Sequence, residues 1–289
     1  MSSIHPSENS YILDQESNAE MARLIDQDIM ITKHMGGLFP PTFDLSNVHD
    51  ILDIACGPGG WAVEVAFTYP NKQVVGIDIS SRMLNYARSR ANVHGLKKVK
   101  FLQMDATGPL AFSDASFDFV NARGLVGFMW REAWQPFVAE CFRITRPGGT
   151  IRLTELDNLV GITNSAALER LGRLITKVFH RQRRTFCDDE NASHFGVTPM
   201  LASFLEQAGC DIIHEQPHMQ NYSSGMEGHV SEYRNFQVGM KMLQSVLVKA
   251  GLASQEELDQ LYQQMLTDMT AENFRGIVYF MSAIGHKPL

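Results

Sequence analysis

Residues 51–60 read Ile-Leu-Asp-Ile-Ala-Cys-Gly-Pro-Gly-Gly. An apolar strand runs into an acid, Asp53. A glycine-rich turn follows at Gly57, Gly59 and Gly60, and a helix-like stretch opens at Trp61. Glycine permits a tight turn and lets a ligand approach the backbone closely. A helix start presents free N–H groups. Asp53 lies at the strand's carboxyl end, where α/β sheets bind ligands.

Outward from this stretch the chain alternates. The pattern predicts strands at Ile51–Ala55, Gln73–Ile77, Val99–Gln103, Phe117–Asn121 and Thr150–Glu155. Helices are predicted between them at Trp61–Thr68, Ser81–His94 and Arg131–Ile144, with Pro147-Gly148-Gly149 turning the chain into the fifth strand. Strands spaced by helices imply right-handed βαβ units and a parallel sheet. A helix is expected over 11–35 from the spacing of Leu13, Met21, Leu24, Ile25, Ile29 and Met30, ended by Gly36-Gly37 and Pro40-Pro41. After Glu155 the rhythm breaks. A helix at Ala166–Phe179, another from Thr198-Pro199 to Gly209, a strand at Cys210–Glu215, a mainly helical stretch over 219–272 and a closing strand at Phe274–Ile284 are expected.

Composition excludes several classes. The net charge of −7 opposes nonspecific nucleic-acid binding, because an acidic surface repels phosphates. The 4 cysteines are far apart and form no CxxC pair, so reduced, buried thiols are expected rather than a zinc or redox site. No apolar run is long enough to span a membrane, the first ten residues do not read as a secretory signal, and a cytoplasmic location is expected. No metal is expected: Asp188-Asp189-Glu190 reads as a solvated acidic loop, and His180-Arg181-Gln182-Arg183-Arg184 as a solvated helix end.

The glycine turn alone leaves the cofactor open. Gly57-Pro58-Gly59-Gly60-Trp61-Ala62 fits G-x-G-x-x-A, which is also a dinucleotide fingerprint, and Asp78 stands where an acid accepts from ribose hydroxyls. The later motifs decide. Asp53-Ile54-Ala55-Cys56-Gly57-Pro58-Gly59 resembles the D-x-x-C-G-x-G signature of the class I S-adenosylmethionine-dependent methyltransferases, especially those acting on small molecules. Val75-Gly76-Ile77-Asp78-Ile79-Ser80 with Met83-Leu84 and Ala87, then Met104-Asp105-Ala106, Phe117-Asp118-Phe119-Val120 and Arg146-Pro147-Gly148-Gly149, follow in that family's order.

The resemblance implies a doubly wound, Rossmann-like α/β fold: a mostly parallel seven-stranded sheet, an antiparallel C-terminal strand and helical cap insertions. It divides the chain into an N-terminal helical lid (1–40), a cofactor-binding core (41–156), a cap (157–197), more core (198–218), a helical cap (219–272) and a closing strand (273–289). It implies S-adenosylmethionine as cofactor and S-adenosylhomocysteine as product. Asp78 would accept from the ribose, Ile79 and Met83 would flank the adenine, and Asp105 with the Ala106 N–H would bond the adenine edge. Asp53 would stand near the ammonium, and the backbone at Ala55, Gly57 and Gly59 would approach the methionine arm. Asn121 and Arg123, just after the fourth strand, would face the same crevice. Met83 suits helix packing equally well, and Arg123 could be a surface cation.

The acceptor side is less legible. A methyl group already activated by a sulfonium needs alignment more than acid–base help. His194 and His229, in the caps, are the candidate bases. Tyr11 and Met35 are candidate lid residues, and Tyr222 and Tyr233 candidate substrate contacts. The expected function is methyl transfer to oxygen, nitrogen or carbon of a small molecule, such as a natural-product intermediate, with a homodimer allowed. Two other classes stay open: a nicotinamide-dependent oxidoreductase, and a non-catalytic S-adenosylmethionine-binding protein.

Overall fold

The computed structural model describes residues 11–13, 17–40 and 43–289. The N-terminal stretch 1–10, residues 14–16 of the expected first helix and Pro41 lie outside them.

Strands β1 (Asp50–Ile54), β2 (Gln73–Asp78), β3 (Val99–Gln103), β4 (Phe117–Arg123) and β5 (Thr145–Leu156) run parallel in the order β3-β2-β1-β4-β5. Strand β8 (Gly276–His286) runs antiparallel to β5. It also pairs with β7 (Asp211–Asn221) and, over two residues, with β6 (Ile162–Thr163). The sheet is thus eight-stranded, seven long strands and one short. Pro147-Gly148-Gly149 does not precede β5. It lies inside it as an irregularity, where the register with β4 shifts between Phe117 and Phe119.

Alternation along each strand sends side chains to opposite faces. Ile51 and Phe119 join Val74 and Phe101 in one apolar cluster, under α2 (Gly60–Thr68) and α3 (Ser81–Val93). Leu52, Ile54, Val120 and Leu153 join the other cluster, with α4 (Trp134–Ile144), α5 (Ala166–Arg181), α6 (Leu201–Ala208), α7 (His229–Lys249) and α8 (Gln255–Thr270). Serine hydroxyls cap several helices by accepting a free N–H: Ser80 from Met83, Ser165 from Leu168 and Ser254 from Glu257.

The first helix, α1 (Asn18–His34), departs from its apolar reading. Ile29 is 60% exposed, whereas Glu20 is fully buried. An ion pair with Arg23 makes that burial tolerable. The basic run after α5 is not wholly solvated either. Arg184 is buried, donates to the Gly127 carbonyl and lies over the Phe179 ring. Among the described residues no helix is long and apolar enough to cross a membrane.

Candidate functional site

Strand order reverses at β1, whose neighbours are β2 on one side and β4 on the other, and this opens a crevice at the carboxyl ends of the strands. The glycine turn fills its floor. Ala55 (φ 54°) and Gly57 (φ 52°) are both left-handed, a conformation that suits glycine and strains alanine. Nothing lies within 4 Å of where a Gly57 Cβ would stand, so that backbone faces open space. Gly59 differs. A Cβ there would meet Ala87 Cβ at 2.6 Å and Phe101 at 3.0 Å, so Gly59 serves the packing of α2 against α3.

Asp78, at the end of β2, ties the turn in place. Its Oδ2 accepts from the Gly57 N–H and its Oδ1 from the Ser80 N–H, each at 2.8 Å. Burial raises its pKa, against the pull of those N–H bonds.

Asp53 belongs to a row that crosses the sheet. Register sets Asp53 beside Asn121, and Asn121 beside Arg152. The Asn121 amide donates to Asp53 Oδ1 at 2.7 Å, and Arg152 Nε donates to Asn121 Oδ1 at 2.8 Å. Arg152 is fully buried against the Trp61 and Phe119 rings, donates to the Leu38 carbonyl, and leaves Nη2 without a partner. Burial pulls its pKa down to about 9, aided by Arg123. Burial also pushes the Asp53 carboxyl up to about 7, opposed by Arg123 and Asn121.

Two cavities meet here. The first is lined by Asp53, Ala55, Gly57, Asp78, Ile79, Met83, Asp105, Ala106 and Arg123, together with Met104, Phe128 and the Leu24, Gln27, Asp28 and Ile31 face of α1. The second lies between α1, the end of β5, α7 and β8. Its walls are largely apolar: Leu13, Ile31, Val126, Leu156, Leu159, Phe179, Phe236, Met240, Leu243, Val278 and Phe280. Tyr11, Gln27, Ile31, Arg123 and Gly124 line both.

Polar groups in the second cavity are mostly bonded to one another. Tyr11 Oη donates to Glu20 at 2.8 Å, and Arg23 clasps both Glu20 oxygens at 2.7 Å. Arg23 also donates to Asn235, whose amide donates to Glu232. Burial raises the Glu232 pKa. Glu155 stands apart from this net. It accepts the backbone N–H groups of Leu125 and, at 3.4 Å, Val126. Burial pushes its carboxyl up to about 8, with Asp157 adding to the rise.

The sequence-predicted residues divide accordingly. Asp53, Ala55, Gly57, Asp78, Ile79, Met83, Asp105, Ala106, Arg123 and Tyr11 come together around the first cavity. Gly59 and Asn121 lie behind it. Arg123 ends β4 rather than following it, and pairs with Asp28 and Thr32 of α1, so it is not a surface cation. Met35 is buried beside Arg123 but lines neither cavity. The cap residues fall elsewhere. His194 is exposed outside both cavities. His229 bonds the Tyr222 carbonyl and packs on Phe274. Tyr222 is a core residue whose hydroxyl donates to Val160 O at 2.5 Å and whose ring presses on Gly276. Tyr233 is half-buried against the core. Reading the sequence missed Glu155 and the α1 residues. Glu155 carried the signal that flagged Asp53, an acid at the end of an apolar strand. No group of three metal-ligating side chains occurs among the described residues.

Comparison with known proteins agrees with this geometry. Residues 51–149 match a family profile described as a methyltransferase domain. Demethylmenaquinone methyltransferases of Bacillus cytotoxicus and Bacillus cereus are each 28% identical over 174 residues, 57% of this chain and 71% of theirs. The fold resembles the YcgJ protein of Bacillus subtilis (TM-score 0.53, 15% identity, covering 91% of this chain and 98% of that one). It also resembles the Haemonchus contortus phosphoethanolamine N-methyltransferase 2 bound to S-adenosylhomocysteine (TM-score 0.51, 19% identity, 94% of this chain and 57% of that one). Residues 51–149 thus carry a methyltransferase domain, and the signature strands, their order around the crevice and these likenesses support a class I S-adenosylmethionine-dependent methyltransferase.

Proposed function

We propose that the chain methylates a small, largely apolar molecule held in the second cavity, with S-adenosylmethionine held in the first. The observation that carries this reading is the shared wall: Tyr11, Gln27, Ile31, Arg123 and Gly124 border both spaces, so ligands in the two would face one another.

The first cavity fits the cofactor chemically. Asp78 offers carboxylate oxygens to a ribose diol, and Asp105 with the Ala106 N–H offers acceptor and donor to an adenine edge. Ile79, Met83 and Phe128 supply apolar surface for its ring. Asp53, steadied by Asn121, offers negative charge to an ammonium, and the open backbone at Gly57 admits a close ligand. When bound, the cofactor supplies a methyl group on a sulfonium, ready for in-line displacement. The protein's part is alignment and exclusion of water. Helix α1 serves as the lid: Asp28 and Thr32 tie it to Arg123, and Arg23 ties it to Asn235 of α7.

A ring-shaped acceptor suits walls built from Phe179, Phe236, Phe280 and aliphatic neighbours. The substrate class that names the Bacillus relatives, a quinone, is one such ring. The test is incubation of the purified protein and S-adenosylmethionine with a panel of phenols, amines, indoles and reduced quinones, read by mass. A gain of one methyl group on any apolar member supports the reading. Tight cofactor binding with no methylated product from any member overturns it.

A further inference from the structure

We propose that Glu155 is the general base of the transfer, its carboxylate taking the proton of an acidic O–H on a planar, apolar acceptor. This rests on the reading of the second cavity as the acceptor site. Glu155 is the penultimate residue of β5, on the wall of that cavity, one residue past the Arg123–Thr154 pair that ends the register with β4. Its position is fixed: one oxygen accepts from Leu125 and the other from Val126, in the turn that follows β4 and Gly124. Gly124 borders both cavities, so this turn brings the carboxylate to the seam between them.

The surrounding charges single it out. Arg23 is clasped by Glu20, Arg123 by Asp28, and Glu232 is bonded by Asn235. Among the described residues Glu155 forms no ion pair, and the charged group that acts on it is Asp157, another acid. Its neighbours along the wall are Val126, Leu156, Val278 and Phe280. A neutral ring carrying one ionisable hydrogen suits such a surface better than a charged acceptor, which would lose its hydration there. A carboxyl poised near about 8 is also a stronger base than an ordinary glutamate and lies closer to a phenol's range.

The step balances. The acceptor oxygen gives its proton to a Glu155 oxygen and bonds to the methyl carbon. The carbon–sulfur bond breaks with its electron pair passing to sulfur. A carboxylate and a cationic donor end as a carboxylic acid and a neutral thioether.

The experiment uses 1-naphthol as the acceptor probe and compares the wild-type protein with Glu155→Gln and Glu155→Asp. Wild type is expected to methylate 1-naphthol, with a rate that rises with pH through about 8. Glu155→Gln is expected to lose roughly a hundredfold or more in kcat. Its cofactor affinity by calorimetry should stay within about threefold, and Glu155→Asp should recover part of the rate. Independently of turnover, one infrared C=O band of a protonated carboxyl, distinct from that of Asp53 at about 7, should disappear as wild type is taken through about pH 8, and that band alone should be missing from Glu155→Gln. If wild type turns over and Glu155→Gln does so within about threefold, the proposal fails while the acceptor site stands. If Glu155→Gln loses cofactor affinity as well, the carboxyl is a pin for the Leu125–Gly127 turn, and the proposal fails. If 1-naphthol neither binds nor reacts, both the O–H class and the acceptor reading fall.

Discussion

The first cavity is made by the ends of adjacent strands and the turns that leave them, with one face of α1 added. The second draws on α1, α5, α7, β5, β7 and β8, elements that lie far apart in the chain. One is fixed by sheet register, which cannot shift without moving the core. The other is a gap between helices and strand ends, whose shape depends on which side chains each contributes. On the proposed reading, repacking the caps would change the acceptor while keeping the nucleoside end intact.

The strongest test of that separation is to fill the second cavity. Met240→Trp places a larger ring among Phe236, Leu243 and Phe280. It is expected to lower acceptor turnover by about a hundredfold or more, through loss of space for a ring-sized ligand. Cofactor affinity measured by calorimetry should stay within about twofold. A similar drop in both would mean the cavities are not separable.

Asp78→Ala addresses the first cavity. It removes a carboxylate that holds the Gly57 and Ser80 N–H groups and would accept from the ribose. Cofactor affinity is expected to fall by tenfold or more, since a hydrogen bond to a charged group contributes about 1.5–3 kcal/mol. Unchanged affinity would move the nucleoside elsewhere.

Asp53 separates site from stability. Its folded pKa is raised from 3.8 to about 7, so the stability of its neutral form is present below 3.8 and is lost as pH rises toward 7. A shift of that size corresponds to ~4 kcal/mol. Asp53→Asn is therefore expected to raise the melting temperature of the ligand-free protein by several degrees near pH 8, while weakening the cofactor. In wild type, affinity for the cationic cofactor should tighten about tenfold between about pH 6 and about pH 8, as the carboxyl ionises. A flat pH profile, or a less stable Asp53→Asn protein, would break this assignment.

The contrast also explains what could be read in the chain. The strands showed because apolar runs end in Asp53, Asp78 and Asp105 at regular spacing, and the glycine turn marked the crevice. Those signals are local. Arg152 gave none: it reads as one charge in a strand, and only register with Asn121 makes it a partner of Asp53. The α1 face was missed because its useful residues, Gln27 and Asp28, are polar, whereas apolar spacing pointed to Ile29, which is exposed. His194 and His229 were chosen by residue type within predicted caps, and nothing in a residue type says which cavity it reaches. Glu155 was legible by the rule applied to the other strand ends.

The sealed guanidinium of Arg152 has a consequence for the medium in which the protein works. Dissolved ions screen charges they can approach, over about 8–10 Å at ordinary ionic strength, but they are shut out from a group buried against Trp61 and Phe119. The Arg152 contribution to the setting of Asp53 is thus insulated from salt. The exposed pair between Lys33 and Glu227, which reaches from the end of α1 to the segment before α7, has no such shelter. Raising ionic strength is expected to weaken that one exposed tie of α1 and to leave the Asn121–Arg152 bond unchanged.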